Sequence, residues 1–140
     1  MTLIVTVDEL FGLAFGKRRQ SRDKALTRDL MKIADGGVLY AREYSRLIFD
    51  EAGADFGKIV FCENPASAAS GKGFAFIELA LTRQELDLAD RVIIYSWNRR
   101  YPSTAKLDVA YIKANFTLLE EVEFVGNSHE KLTRCTYKRK

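Results

Sequence analysis

A chain of 140 residues, 47% hydrophobic and 29% charged with only two prolines, has the length and composition of one globular domain spanning residues 1–140, which excludes a disordered or fibrous protein. No apolar run approaches the roughly 18 residues a spanning helix needs, and the start Met1-Thr2-Leu3-Ile4-Val5 has no basic leader, so no membrane contact and a cytoplasmic location are expected. The net charge of +3 is unevenly placed: seven Lys and Arg between residues 17 and 32 face only Asp23 and Asp29, and residues 131–140 carry five cations and no acid.

In chain order, Thr6 and Glu9 have capping-box spacing, and Leu10, Leu13 and Ala14 follow at helical intervals, which predicts a first helix over residues 6–16. A second helix is expected from Ser21 or Arg22 to Asp35, with Leu26, Leu30, Ile33 and Ala34 as its apolar stripe and Gly36-Gly37 as its stop. Tyr40, Tyr44, Leu47, Ile48 and Phe49 suggest a third helix ending at Gly53, with residues 38–40 as an alternative short strand. Beyond it the period changes. Residues 58–62 and 74–81 read as strands and 64–73 as a loop. Thr82 and Glu85 again have capping-box spacing and predict one or two helical turns. Residues 91–97 form the clearest strand signal, and residues 117–125 and 132–137, split by Gly126-Asn127-Ser128, predict a C-terminal hairpin. Helices first and strands afterwards imply an α+β fold, with N-terminal helices packed on one face of a mostly antiparallel sheet formed by the C-terminal two thirds.

The only tryptophan and the only histidine sit in the densest mixtures of aromatic and cationic side chains. Trp97, Asn98, Arg99, Arg100 and Tyr101 combine stacking rings with phosphate-binding groups, and Lys131 adds a cation near the turn, so these six are the candidate nucleic-acid-binding residues. His129 is the one side chain whose ordinary pKa lies near neutrality. With Glu130 or Cys62 as its acid/base partner and Arg134 for phosphorane charge, His129, Glu130 and Arg134 are the candidate catalytic residues of metal-independent RNA cleavage. Along the last strand, alternation puts Lys131, Thr133, Cys135 and Tyr137 on one face and Leu132, Arg134, Thr136 and Lys138 on the other.

Other chemistries find no pattern. Cys62 and Cys135 provide no ligand pair at zinc spacing and read as buried thiols rather than a disulfide, so no metal is expected. Gly71-Lys72-Gly73 lacks P-loop spacing, and no cofactor is expected. Glu120, Glu121, Glu123, Asp87 and Asp90 do not make the pair of a two-carboxylate hydrolase.

The layout of helices, then a sheet, with basic and acid/base residues late in the chain, resembles that of the barnase- and RelE-like metal-independent ribonucleases in architecture. No motif of those families is present, and no catalytic residue is carried over. The expectation is a small bacterial-type RNA-acting protein that binds RNA through a basic and aromatic sheet face and cleaves it without metal. Its partners would be RNA or an acidic protein. One alternative is a protein-interaction module of the immunity, antitoxin or adaptor kind, with Trp97, Tyr101 and Arg99 as hot spots. Another is a small-molecule enzyme whose pocket gathers Tyr40, Tyr44, Cys62 and His129.

Overall fold

In the computed structural model, which describes residues 1–140, the chain opens with a strand, β1 (Thr2–Val7), and not with a helix over residues 6–16. Ile4, Val5 and Val7 are β-branched and favour the pleat. All of β1 after Thr2 is buried, so both faces are covered and the segment reads as an apolar run without alternation. The Thr6/Glu9 spacing caps nothing, because Asp8 organises the next turn by accepting the N–H groups of Leu10 and Gly12. That turn enters a small antiparallel sheet in which β2 (Gly12–Phe15) lies between β3 (Arg18–Arg19) and the distant β8 (Ala105–Lys106).

Helix α1 (Lys24–Ala34) starts after its cap Asp23 and not at Ser21 or Arg22, and buries Leu26, Leu30 and Ala34. After it the strand alternative holds: β4 (Leu39–Ala41) is followed by a 3-10 turn at Glu43–Ser45 and the short α2 (Arg46–Glu51). Next come β5 (Ile59–Phe61), α3 (Pro65–Ala68), which lies where the sequence suggests only a loop, and β6 (Phe74–Phe76). The capping box of Thr82 and Glu85 forms in both directions at the start of α4 (Arg83–Asp87). Strand β7 (Arg91–Ser96), helix α5 (Val109–Asn115), and the paired strands β9 (Phe116–Phe124) and β10 (Leu132–Arg139) complete the chain.

Seven strands make one mixed sheet in the order β5-β4-β6-β1-β7-β10-β9. The first five are mutually parallel, β10 alone runs against them, and β9, antiparallel to β10, runs in the direction of β7 again. This corrects the expected fold class: the chain is an α/β protein with helices interleaved between strands, and not an α+β protein with helices on one face of an antiparallel sheet. The βα alternation escapes sequence reading because α3 and α4 span only 4 and 5 residues, too short for a 3.6-residue period to register.

Alternation along the central strands divides the core into two layers. Leu3, Val5, Val7, Val92 and Ile94 pack with Ala66, Ala69, Leu86 and Ile112 from α3, α4 and α5 and their flanks. Ile4, Ile93 and Tyr95 point the other way, against Leu26, Leu30, Ile48 and Phe49 of α1 and α2. Leu30 is 0% exposed whereas Leu118 on β9 is 48% exposed. Leu30→Ala is therefore expected to destabilise the fold by about 2–5 kcal/mol, and Leu118→Ala by no more than about 0.5 kcal/mol, as measured by urea denaturation.

Candidate functional site

His129 and Trp97 are brought together, but inside the protein. The imidazole stacks on the indole with ring centroids 5.1 Å apart and planes 28° apart. Their exposures are 5% and 4%, so neither ring is free to stack on a base. His129 Nδ1 lies 2.9 Å from Asp23 Oδ2, while Nε2 lies 3.1 Å from both Ser21 Oγ and Tyr101 Oη. A carboxylate only accepts, so Asp23 places the ring hydrogen on Nδ1 and leaves Nε2 as an acceptor for hydroxyl groups. Asp23 also takes the main-chain N–H groups of Ala25, Leu26, Asn127, Ser128 and His129. Burial raises the pKa of this carboxyl, but the Asn127 N–H, the His129 ring and the Ser128 and Ala25 N–H groups outweigh it and hold the group well below the ordinary carboxylate range.

On the opposite face of the sheet is a cleft of about 640 Å³. Its floor consists of two rows of paired residues, one across four strands and one across three. One is Val7, Ser96, Thr133 and Glu123, and the other Ile94, Cys135 and Glu121, which continues inward to the buried Val5, so the floor runs from apolar at the sheet centre to acidic at its edge. Lys131, Thr133, Cys135 and Tyr137 line the cleft together, as the alternation of β10 requires. Asp8, Glu9 and Phe11 close one side and Asn98 another. Lys131 is the one cation in this lining and sits 3.5 Å from Glu123. Burial first, and then its hydrogen bond to Glu121, push the Cys135 thiol up to about 11, so it remains an S–H donor rather than a nucleophilic thiolate.

Two wall residues of this cleft, Phe11 and Asn98, are the chain's two non-glycine residues with positive φ, at 62° and 56°. Asn tolerates this region; Phe does so at a cost. Capture of the Leu10 and Gly12 N–H groups by Asp8 Oδ1 holds Phe11 in that conformation. Asn98 is anchored by donating Nδ2 to the Lys131 carbonyl and to Thr133 Oγ1.

The carboxyl ends of parallel strands are where open α/β sheets usually take ligands. Here the loop after β1 fills part of that edge. Arg19 donates Nε and Nη2 to the buried Glu78 carboxylate at 2.7 and 3.0 Å and lies over the Tyr44 ring, while Ser45 Oγ donates to Glu78 at 2.7 Å. Arg134 is likewise engaged, with Nη1 2.6 Å from Asp29, which also accepts from the buried Tyr95 hydroxyl, and Nη2 3.2 Å from Glu120. Glu130, Arg99 and Arg100 are exposed. Of the pocket expected from Tyr40, Tyr44, Cys62 and His129, nothing assembles around the histidine, whose partners are instead Asp23, Ser21, Tyr101, Ser128 and Trp97.

This arrangement of strands and layers belongs to a known class: α/β proteins with the dihydrofolate reductase fold. The solved structure that establishes the likeness is dihydrofolate reductase from Enterococcus faecalis complexed with NADP(H) and RAB-propyl, to which the chain is similar with a TM-score of 0.61 at 11% sequence identity, covering 99% of this chain and 95% of that one. No family model and no curated protein sequence matches. The likeness overturns the RNA-acting reading and its interaction-module alternative: the architecture is not that of the helix-then-sheet ribonucleases. The burial of Trp97 and His129 and the pairing of Arg134 and Lys131 with carboxylates agree with that correction. No helix is long and apolar enough to cross a membrane.

Sequence reasoning missed Asp23, Ser21, Asp8 and Glu78. For Asp23 a signal existed, since an Asp directly before an apolar helical stripe is a favoured N-cap. Its distant partners had none. Because its folded pKa is depressed, Asp23 contributes stability that is complete above its ordinary value of 3.8 and is lost as pH falls through the lower folded value. Asp23→Ala, which orphans several N–H groups, is expected to cost about 3 kcal/mol near neutral pH in urea denaturation, and the difference from wild type should shrink steadily below about pH 4.

Proposed function

We propose that this chain is a small-molecule-binding protein that takes an organic cation, an amine or amidine on a flat apolar frame, in the cleft between β1, β7, β10 and β9. The observation that carries this reading is the composition of the largest cavity. Its floor offers Val7 and Ile94, its sides the rings of Phe11 and Tyr137, and its rim the solvated carboxylates of Glu9, Glu121 and Glu123 against a single ammonium already paired. An apolar body lies on the floor while a charged head meets the acidic edge, the usual division of labour in ligand clefts. The backbone strain at Phe11 falls in the same wall, and such strain clusters at ligand sites.

NADP(H), which the Enterococcus faecalis enzyme holds, does not fit the residues present here. Dinucleotide phosphates rest on glycine-rich strand-to-helix turns with open N–H groups. The close approach at Gly12, on the turn after β1, is filled by the chain's own Ser103 and Gln20, whose atoms would lie 2.6 and 2.7 Å from an added Cβ. Arg19 and Arg42 at the carboxyl edge are matched by Glu78 and Glu85. Carboxylates around the cleft repel a polyphosphate.

Benzamidine, a flat cation, serves as the probe. Its addition is expected to shift the amide resonances of Ile94, Ser96 and Thr133, and the double change Glu121→Gln with Glu123→Gln to weaken the affinity about tenfold or more. NADPH under the same conditions should leave those resonances unmoved. Absence of any response to millimolar benzamidine, or equal affinity in the double variant, would refute the reading.

A further inference from the structure

We propose that Ser21 is a nucleophile for acyl transfer, activated by His129 and positioned by Asp23, and that its substrates are small polar esters. The site is on the opposite side of the sheet from the cation cleft, so this inference stands apart from the proposal above. A nucleophile, a base within hydrogen-bond reach of it, and a third group orienting the base identify such a centre by geometry, whatever the order in the chain. Ser21 Oγ is 3.1 Å from His129 Nε2, and His129 Nδ1 is 2.9 Å from Asp23 Oδ2. The side chains of His129 and Asp23 are 3% and 0% exposed, while Ser21 is half-buried and accessible.

Stapling the turn at residues 126–129 onto α1 explains the bond between Asp23 and the imidazole, but it does not explain the other ring nitrogen. Tyr101 Oη, at 3.1 Å, would satisfy Nε2 alone. Ser21, outside any helix or strand, supplies a second hydroxyl at the same distance. The surroundings suit the charge that attack would create. An imidazolium formed at His129 would face the Asp23 carboxylate and the Trp97 ring, and both stabilise a cation. The main-chain N–H groups of Ser21 and Arg22, outside any helix or strand, donate to no main-chain carbonyl, and in this assignment they receive the oxyanion.

In the reaction, the Ser21 oxygen forms a bond to the acyl carbon while its proton passes to His129 Nε2. The bond from that carbon to the alcohol oxygen breaks, and the leaving oxygen takes the proton from Nε2. Water, deprotonated by Nε2, then attacks the acyl carbon, the bond from that carbon to the Ser21 oxygen breaks, and the oxygen takes the proton back from Nε2, releasing the carboxylic acid and regenerating Ser21. The substrate is small because the neighbouring hollow, which begins at Arg22 and Asp23 and whose lining side chains are polar or charged except for Ile48, measures only about 210 Å³.

Two measurements test this. A fluorophosphonate should add to the wild-type protein at Ser21 with loss of fluoride, as located by peptide mass spectrometry. Ser21→Cys should be alkylated by iodoacetamide at the introduced thiol, at neutral pH, at least tenfold faster than at Cys62 of the same molecule, because His129 would draw off its proton. The internal comparison removes any dependence on how well the variant folds relative to wild type, and adding Tyr101→Phe should leave the advantage in place. Phosphonylation that misses Ser21, or an introduced thiol that reacts no faster than Cys62, would overturn the assignment.

Discussion

The Asp23 carboxylate receives N–H groups from Ala25 and Leu26 on one side and from Asn127, Ser128 and His129 on the other, positions 104 to 106 residues away in the chain. A buried carboxylate without such donors would be very costly, and so would the donors without it. That mutual need sets where α1 begins, where the turn before β10 is held, and which nitrogen of His129 carries hydrogen. It also demands glycine at 126, where an added Cβ would lie 2.5 Å from the His129 carbonyl and 2.8 Å from Asp23 Oδ2. Leu132 and Arg134 follow directly, one into the core and the other onto Asp29 of α1.

Charge counted along the sequence differs from charge gathered in space. The two cationic segments suggest a basic face, yet Arg19, Arg22, Lys131 and Arg134 are matched by Glu78, Glu51, Glu123 and Asp29. The acids that appear scattered, Glu9 on a turn and Glu121 and Glu123 on β9, converge on one cleft. Coulomb interactions weaken with distance in space and take no account of distance along the chain. A composition with two basic segments is therefore compatible with an acidic cleft.

Much of the local structure was legible. The stripe of Leu26, Leu30 and Ala34, the capping box at Thr82, the strand at 91–96 and the C-terminal strand pair all rest on interactions within a few residues. The misread helix at 6–16 and the unread α3 share a different cause. A central parallel strand is apolar on both faces and loses its alternation, and a helix of one turn has no period. Without these elements the βα order disappears, and an α/β sheet passes for an α+β one.

The candidate sites divide in the same way. Residue types alone pointed to His129 as the titratable centre and, through alternation, to the shared face of Lys131, Thr133, Cys135 and Tyr137, because those inferences need only side-chain chemistry and the strand period. Only the tertiary structure decided that the imidazole is buried against Trp97 and framed by Asp23 and Ser21, and that Glu121 and Glu123 meet Val7 and Ile94 across the sheet. Those pairings join residues tens to more than a hundred positions apart, and their partners are selected by strand order and layer packing, quantities that no local pattern encodes.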